Sequence, residues 1–260
     1  MPLDERKSLA KLRSTVKRIS EGKGPTLKHG TTVIGVSELA NQFYCEKQVE
    51  LSRLRGKTLT ADMMIGRQSH EALLTGTVKI SLEKLWAEIF SGKLTVSREM
   101  LLLATHGKIP IAGTTDAIIF NDGAPLLLLE YKFTKRAIPY RDRHVQANTY
   151  CYLLHQLGFD TSHLRYALVL ASVDLRSDEE FRNRSLDTIL DSIKKSRVEL
   201  YSDGNVEAKA YITDFSEKDA IDDVEWALKY WRGEREAFPT PEPGKCRACE
   251  YKSVCEFSLA

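Results

Sequence analysis

Two charges close the most apolar run of this chain. In LLLLEYKFTK, residues 126–135, four leucines lead to Glu130 and Lys132, which flank Tyr131. Side chains two apart on a strand point to the same side. Such a pair can be no more than a surface ion pair worth about 0–1 kcal/mol, the ordinary exit of a strand into water. A second carboxylate widens the chemistry. Asp116 stands in GTTDAIIF, an apolar stretch just upstream. If 109–120 and 126–133 pair as a hairpin, Asp116 and Glu130 lie close on one side. Two carboxylates in a low-dielectric site repel, and one takes up a proton unless a cation joins them. Mg²⁺ and Mn²⁺ favour oxygen ligands of this kind, with phosphate oxygens completing the shell. Lys132 beside such an ion could orient a water or stabilise charge building on a phosphate.

The second group with chemistry is made of cysteines. Of five, Cys246, Cys249 and Cys255 form C-x2-C-x5-C near the end of the sequence, and Cys45 lies some 200 residues earlier. In a reducing compartment, clustered cysteines point to a metal rather than to disulfides. C-x2-C is common in zinc sites, but a zinc ribbon uses two such pairs and only one is present. Cys151 follows Tyr150 on a helix candidate and reads as a small buried apolar residue.

Periodicity assigns the elements that carry these residues. KGPTLKHGTT (23–32) reads as a linker. Helices are predicted from Ser37 onward, over 60–75 and over 81–91. Three strand-like runs follow, about 96–104, 109–120 and 126–133, separated by turn compositions and consistent with an antiparallel meander. RDRHVQANTYCYLLHQLG is a helix closed by Gly158. HLRYALVLASV and EAKAYITDF read as strands, and EKDAIDDVEWALKYWRGERE as an amphipathic helix. The charged stretch 174–205 reads as a solvated helical insertion. The prolines of FPTPEPGKC argue against regular structure ahead of the last cysteines.

Asp116 followed by Glu-x-Lys on a neighbouring strand resembles the PD-(D/E)xK nuclease core, with Thr115 where the family has proline. The order of further residues resembles its RecB-like branch: Gly66 and His70 as G-x3-H, then Asp116, Glu130 and Lys132, then Gln146 and Tyr150 as Q-x3-Y. Cys45 in QFYCEKQVEL with the C-terminal triplet resembles the iron–sulfur members, the CRISPR-associated RecB-like exonucleases and exonuclease V. The likeness runs over about residues 33–257. It implies an α/β fold, a mixed central sheet flanked by helices, with a cysteine-ligated region joining the N- and C-terminal parts. It implies Mg²⁺ or Mn²⁺ on His70, Asp116 and Glu130, with the Tyr131 carbonyl as a possible extra ligand. Lys132 would assist the attacking water, and Gln146 and Tyr150 would contact the substrate or brace the site. Cys45, Cys246, Cys249 and Cys255 would hold a [4Fe-4S] cluster. Glu99 is an acidic residue ahead of the Asp strand, as some relatives have, with no role assigned.

The implied activity is metal-dependent hydrolysis of DNA, as an exonuclease preferring single strands, in DNA repair or in CRISPR spacer acquisition beside other proteins of those systems. Two rival readings remain open: a non-catalytic DNA-binding or assembly module with the nuclease fold, and a zinc-stapled structural protein. The 260 residues, 42% hydrophobic and 28% charged, suit a globular protein with a core of good size. Residues 1–30 carry eight Lys/Arg against three Asp/Glu, a basic arm of net +5 on a chain of net +2. The rest, 31–260, is expected to form the nuclease domain. No apolar run approaches 20 residues and the first residues lack an apolar stretch, so a cytoplasmic protein without membrane contact is expected.

Overall fold

The computed structural model describes residues 5–55, 81–134, 138–203 and 206–260. The predicted helix over 60–75, with Gly66 and His70, lies outside them. Seven α-helices are described: α1 (Glu5–Ser20), α2 (Val36–Leu54), α3 (Leu82–Ile89), α4 (Arg141–Leu157), α5 (Glu179–Asp191), α6 (Glu217–Trp231) and α7 (Pro243–Ala248). The nine described strands are β1 (Ile34–Gly35), β2 (Leu94–Arg98), β3 (Leu101–His106), β4 (Ile109–Thr114), β5 (Ala117–Asn121), β6 (Ala124–Phe133), β7 (Arg165–Ala171), β8 (Arg197–Asp203) and β9 (Val206–Asp214).

They form a six-stranded sheet of order β2-β5-β6-β7-β9-β8 and a three-stranded sheet of order β1-β4-β3. Pairing is mixed: β6–β7 and β1–β4 are parallel, and the other ladders are antiparallel. Helix α4 makes the crossover from β6 to β7, as a parallel pair requires.

The expected strands 96–104 and 109–120 are each broken in two. Both breaks fall at one level of a single long hairpin, so its two halves enter different sheets. Glu99 takes a left-handed backbone, φ 51°. The ladder survives the bend, because Glu99 N–H donates to Asp116 O at 3.2 Å and Thr115 N–H to Met100 O at 3.0 Å. The bend leaves Asp116 at a strand end rather than within a strand.

Alternation along the strands feeds two cores. Ile118, Phe120, Leu128, Leu168 and Leu170 pack into the larger one, with Leu39 of α2, Leu153 and Leu154 of α4, and Val224 and Leu228 of α6. Ala117, Ile119, Leu127, Leu129, Ala167 and Val169 pack into the other, with Phe181, Leu186 and Ile189 of α5. The charged stretch 174–205 is therefore not a solvated insertion. Its helix closes the second face of the sheet, and its last residues form the edge strand β8. The tail also departs from expectation. Pro243 opens α7 at its first turn, where a missing N–H costs nothing.

Within the basic segment, α1 buries Leu12 in the larger core and keeps Lys7, Lys11, Arg13, Lys17 and Arg18 exposed. Ser81 caps α3 through Lys84 N–H, and Gly158 closes α4 at φ 92°. No helix among the described residues is long and apolar enough to cross a membrane.

Candidate active site

The β5–β6 register sets Ala117 opposite Leu129, so the next step along the hairpin brings Asp116 beside Glu130. The Tyr131 N–H closes this junction by donating to Asp116 Oδ2 at 2.7 Å. Leu128 faces the larger core, and strand alternation carries Glu130 and Lys132 to that same side, toward α4. Tyr131 and Phe133 face the opposite side, toward α5.

Glu130 is 4% exposed, unusual for an acid at a strand end. Its Oε1 accepts from Lys132 Nζ at 2.9 Å and from Gln146 Nε2 at 2.7 Å. Lys132 Nζ also donates to Gln146 Oε1 at 2.8 Å, which closes a three-membered ring of polar groups. Glu130 Oε2 is buried and has no hydrogen-bond partner among the described residues. Burial, then the charge of Asp116, push the Glu130 pKa up to about 7, against the pull of Lys132. Asp116 opens to solvent on one side, but protein crowds the rest of it. That crowding raises its pKa, opposed by the Tyr131 N–H and the charge of Lys132.

Gln146 and Tyr150 lie four apart and share one face of α4. Tyr150 OH donates to Thr114 O at 2.9 Å, two residues before Asp116. Its ring lies against Gly113, where a built Cβ would meet Tyr150 Cε1 at 2.8 Å. Burial raises the phenol pKa, so Tyr150 is a neutral donor. Asp116, Glu130, Lys132, Gln146 and Tyr150 are thus brought together as expected, whereas His70 lies outside the described residues.

A cleft of about 510 Å³ opens at Asp116. It is lined by Glu99 and Tyr131 and, unanticipated from sequence, by Arg98, Phe133, Arg176, Glu179, Arg182 and Asn183. Nothing in the local sequence marks those residues, because their convergence depends on α5 folding back over the sheet.

Cys45, Cys246, Cys249 and Cys255 line one small pocket of about 20 Å³ between α2 and the C-terminal segment. Cys45 leaves the helical conformation within α2 (φ −168°, ψ 113°), Cys246 lies in α7 and Cys249 caps its end. The four thiols match an iron–sulfur or zinc site in donor type and number. The described side chains do not close into a ligand set: no group of three or more His, Cys, Asp or Glu among them is placed to hold a metal ion. Cys151 is fully buried away from this pocket, and burial raises its thiol pKa.

The chain is similar over short stretches to mitochondrial exonuclease V. It is 47% identical over 47 residues to the protein of Candida albicans (strain WO-1), which is 18% of this chain and 7% of that one. It is 49% identical over 45 residues to that of Candida dubliniensis, 17% and 7% of the two chains. The matched stretch is therefore a small part of those relatives' length. A solved structure titled "Crystal structure of SSO0001" aligns over 97% of both chains at 14% identity, with a TM-score of 0.43. The model of the PD-(D/E)XK nuclease superfamily matches residues 38–256, most of the sequence and every described residue of the acidic site. On that match, the chain belongs to the PD-(D/E)XK nuclease superfamily.

Proposed function

We propose that this chain is a divalent-metal-dependent deoxyribonuclease that degrades single-stranded DNA from an end. The observation that carries the reading is Glu130 Oε2. It is an unpartnered oxygen on a buried carboxylate, beside a second carboxylate and within reach of a lysine. An unsatisfied buried acceptor costs about 1–3 kcal/mol, more when charged, and a cation removes that cost. Mg²⁺ or Mn²⁺ would be held by Asp116 and Glu130, with His70 and the Tyr131 carbonyl as further donors. Such an ion supplies Lewis acidity toward a phosphoryl oxygen and makes water a better nucleophile.

The chain's own groups do the rest. Gln146 fixes the ammonium of Lys132 and the carboxylate of Glu130 in one plane of contacts. Lys132 meets negative charge as it builds on the phosphate during attack. Tyr150 ties α4 to the strand that ends at Asp116, and so holds the helix and the acids in register.

In the same reading, Cys45, Cys246, Cys249 and Cys255 hold a [4Fe-4S] cluster that staples α2 to the C-terminal segment. The donor set supports this, as four thiols from distant parts of the chain share one pocket. The protein would act in DNA repair or in CRISPR spacer acquisition, with partners from those systems.

The deciding experiment is degradation of end-labelled single-stranded DNA with Mg²⁺, with Mn²⁺ and with chelator, for wild type and Asp116→Ala. Metal-dependent shortening from the label, absent in the variant, is expected. A folded wild-type protein that binds this DNA and never cuts it would replace the reading by a binding module.

A further inference from the structure

The cleft at Asp116 has a second wall that takes no part in the chemistry above. Arg98 reaches it from β2, Arg176 from the end of the 3-10 turn Val173–Leu175, and Arg182 with Asn183 from α5. Tyr131 and Phe133 form its floor, on the face of β6 opposite Glu130 and Lys132. Asp116 borders both the acidic site and the cleft.

The wall is fastened in place. Asp178 caps α5 through Phe181 N–H at 2.8 Å, and Phe181 is buried in the second core. Tyr131 OH and Ser185 Oγ are hydrogen-bonded at 2.9 Å, which ties α5 to the strand that carries the acids. The Tyr131 and Phe133 rings stack at 6.3 Å and 12°. The Arg176 and Arg182 guanidinium groups stand 6.0 Å and 5.5 Å from the Phe133 ring centre.

Charge marks the wall as a place for a ligand. Among the described residues, Arg98, Arg176 and Arg182 make no ion pair. Arg98 Nη2 donates to the neutral Asn183 Oδ1 at 2.9 Å, and Arg182 Nη2 to the Arg176 carbonyl at 2.9 Å. Other arginines of this chain are neutralised by carboxylates, for example Arg53, Arg141, Arg165, Arg232 and Arg235. The same cleft also carries the carboxylates of Glu99, Asp116 and Glu179, so the lining balances in charge; the arginines nevertheless make no ion pair with them among the described residues and keep their guanidinium forks for an incoming anion. Guanidinium forks match phosphate oxygens and lie flat on rings, so arginine serves a strand whose phosphates and bases alternate. Arginines set beside an aromatic floor, as here on one side of the cleft, are how proteins grip unstacked single strands.

We propose that Arg98, Arg176 and Arg182 hold the phosphates of a single DNA strand that runs along this cleft to the acids, with its bases over Tyr131 and Phe133. This rests on the nuclease reading of the acidic site and gives the stretch 174–183 its task.

The test is an Arg176→Ala/Arg182→Ala double variant beside Arg176→Lys/Arg182→Lys. Anisotropy of a labelled single-stranded oligonucleotide is read at several salt concentrations in the inactive Asp116→Ala background. Cleavage kinetics are read in the active background, and thermal melting checks folding. The alanine pair should weaken Kd at least about tenfold and reduce the salt slope by about 1.4, at about 0.7 per phosphate contact on a single strand. KM should rise with kcat within about twofold, and the lysine pair should restore most of the salt slope. If wild type cuts while the alanine pair keeps its Kd, salt slope and KM, the wall is not the strand's path and the nuclease reading stands. If wild type neither binds nor cuts single-stranded DNA, both fall together.

Discussion

Gln146 on α4 donates its amide to Glu130 Oε1 on β6 at 2.7 Å. The same amide accepts from Lys132 at 2.8 Å, so one side chain braces an acid and a base that already pair at 2.9 Å. Gln146→Ala leaves the direct Glu130–Lys132 pair but removes the amide that holds both partners in place. Residues that orient a metal ligand in this way typically contribute about 10–100-fold to affinity or activity. Gln146→Ala should lower the single-turnover cleavage rate by about that factor and raise the Mn²⁺ concentration needed for half-maximal rate, with melting little changed. An unchanged Mn²⁺ requirement would remove Gln146 from the site.

Glu130 links this site to stability. Its folded pKa of about 7 lies above the ordinary 4.5, so the folded state binds this proton more tightly than the unfolded one. Without metal, the stabilising contribution is present below pH 4.5 and is lost as pH rises toward 7. At 1.36 kcal/mol per unit this comes to at most about 3 kcal/mol. Glu130→Gln stays neutral throughout. In the presence of chelator, the variant should therefore gain on wild type across that interval, read as the difference between their urea midpoints. Parallel curves from pH 4.5 to 7.5 would show that Glu130 ionises in the folded protein as it does in water.

Some of this was legible in the sequence for physical reasons. Four leucines ahead of Glu130 demanded a strand buried on both faces, and the β6 register delivers the acid to Asp116. The breaks at Glu99 and Asp116 were not legible. No glycine or proline stands between Arg98 and Leu101 or between Thr114 and Ala117, and only the pairing of two bends at one level reveals the corner. The stretch 174–205 was misread because its charged residues outnumber the few apolar ones, Phe181, Leu186, Ile189 and Val198, that seat it. The arginines of the cleft carry no local pattern, since Arg98 of β2 meets Arg176 and Arg182 only in the folded chain.

Gly113 sits where β4 passes beneath Tyr150. A Cβ there would lie 2.8 Å from Tyr150 Cε1 and 3.0 Å from Val36 Cβ, closer than carbon atoms pack. Gly113→Ala should cost about 1–3 kcal/mol by overpacking. Because Tyr150 must move, its bond to Thr114 O should weaken and cleavage should fall further than stability alone explains. Tyr150→Phe removes the bond without the clash and should cost only about 1 kcal/mol. Equal melting temperatures for Gly113→Ala and wild type would mean that α4 yields freely at this point.

The cysteine pocket makes a prediction about colour. Protein purified without air should be brown and contain iron, and Cys246→Ser or Cys255→Ser should lose both. Cys151→Ala, at a buried position remote from the pocket, should keep them. A colourless wild-type protein that contains zinc would make the staple a zinc site and leave the acidic site untouched.

Glu46 follows Cys45 and is 1% exposed. It accepts from both terminal nitrogens of Arg235, at 2.8 Å for Nη2, and from Phe238 N–H at 2.8 Å, so it anchors the segment that leads to the last three cysteines. Glu46→Ala leaves Arg235 half-buried without its counter-charge and should cost about 3–5 kcal/mol. The double variant Glu46→Ala/Arg235→Leu removes both charges and should recover part of that loss. Its bound iron should nevertheless remain below wild type, because Phe238 N–H has still lost its acceptor and the chain ahead of Cys246 is less firmly seated. Equal losses in the single and double variants would show that the salt bridge contributes packing rather than charge.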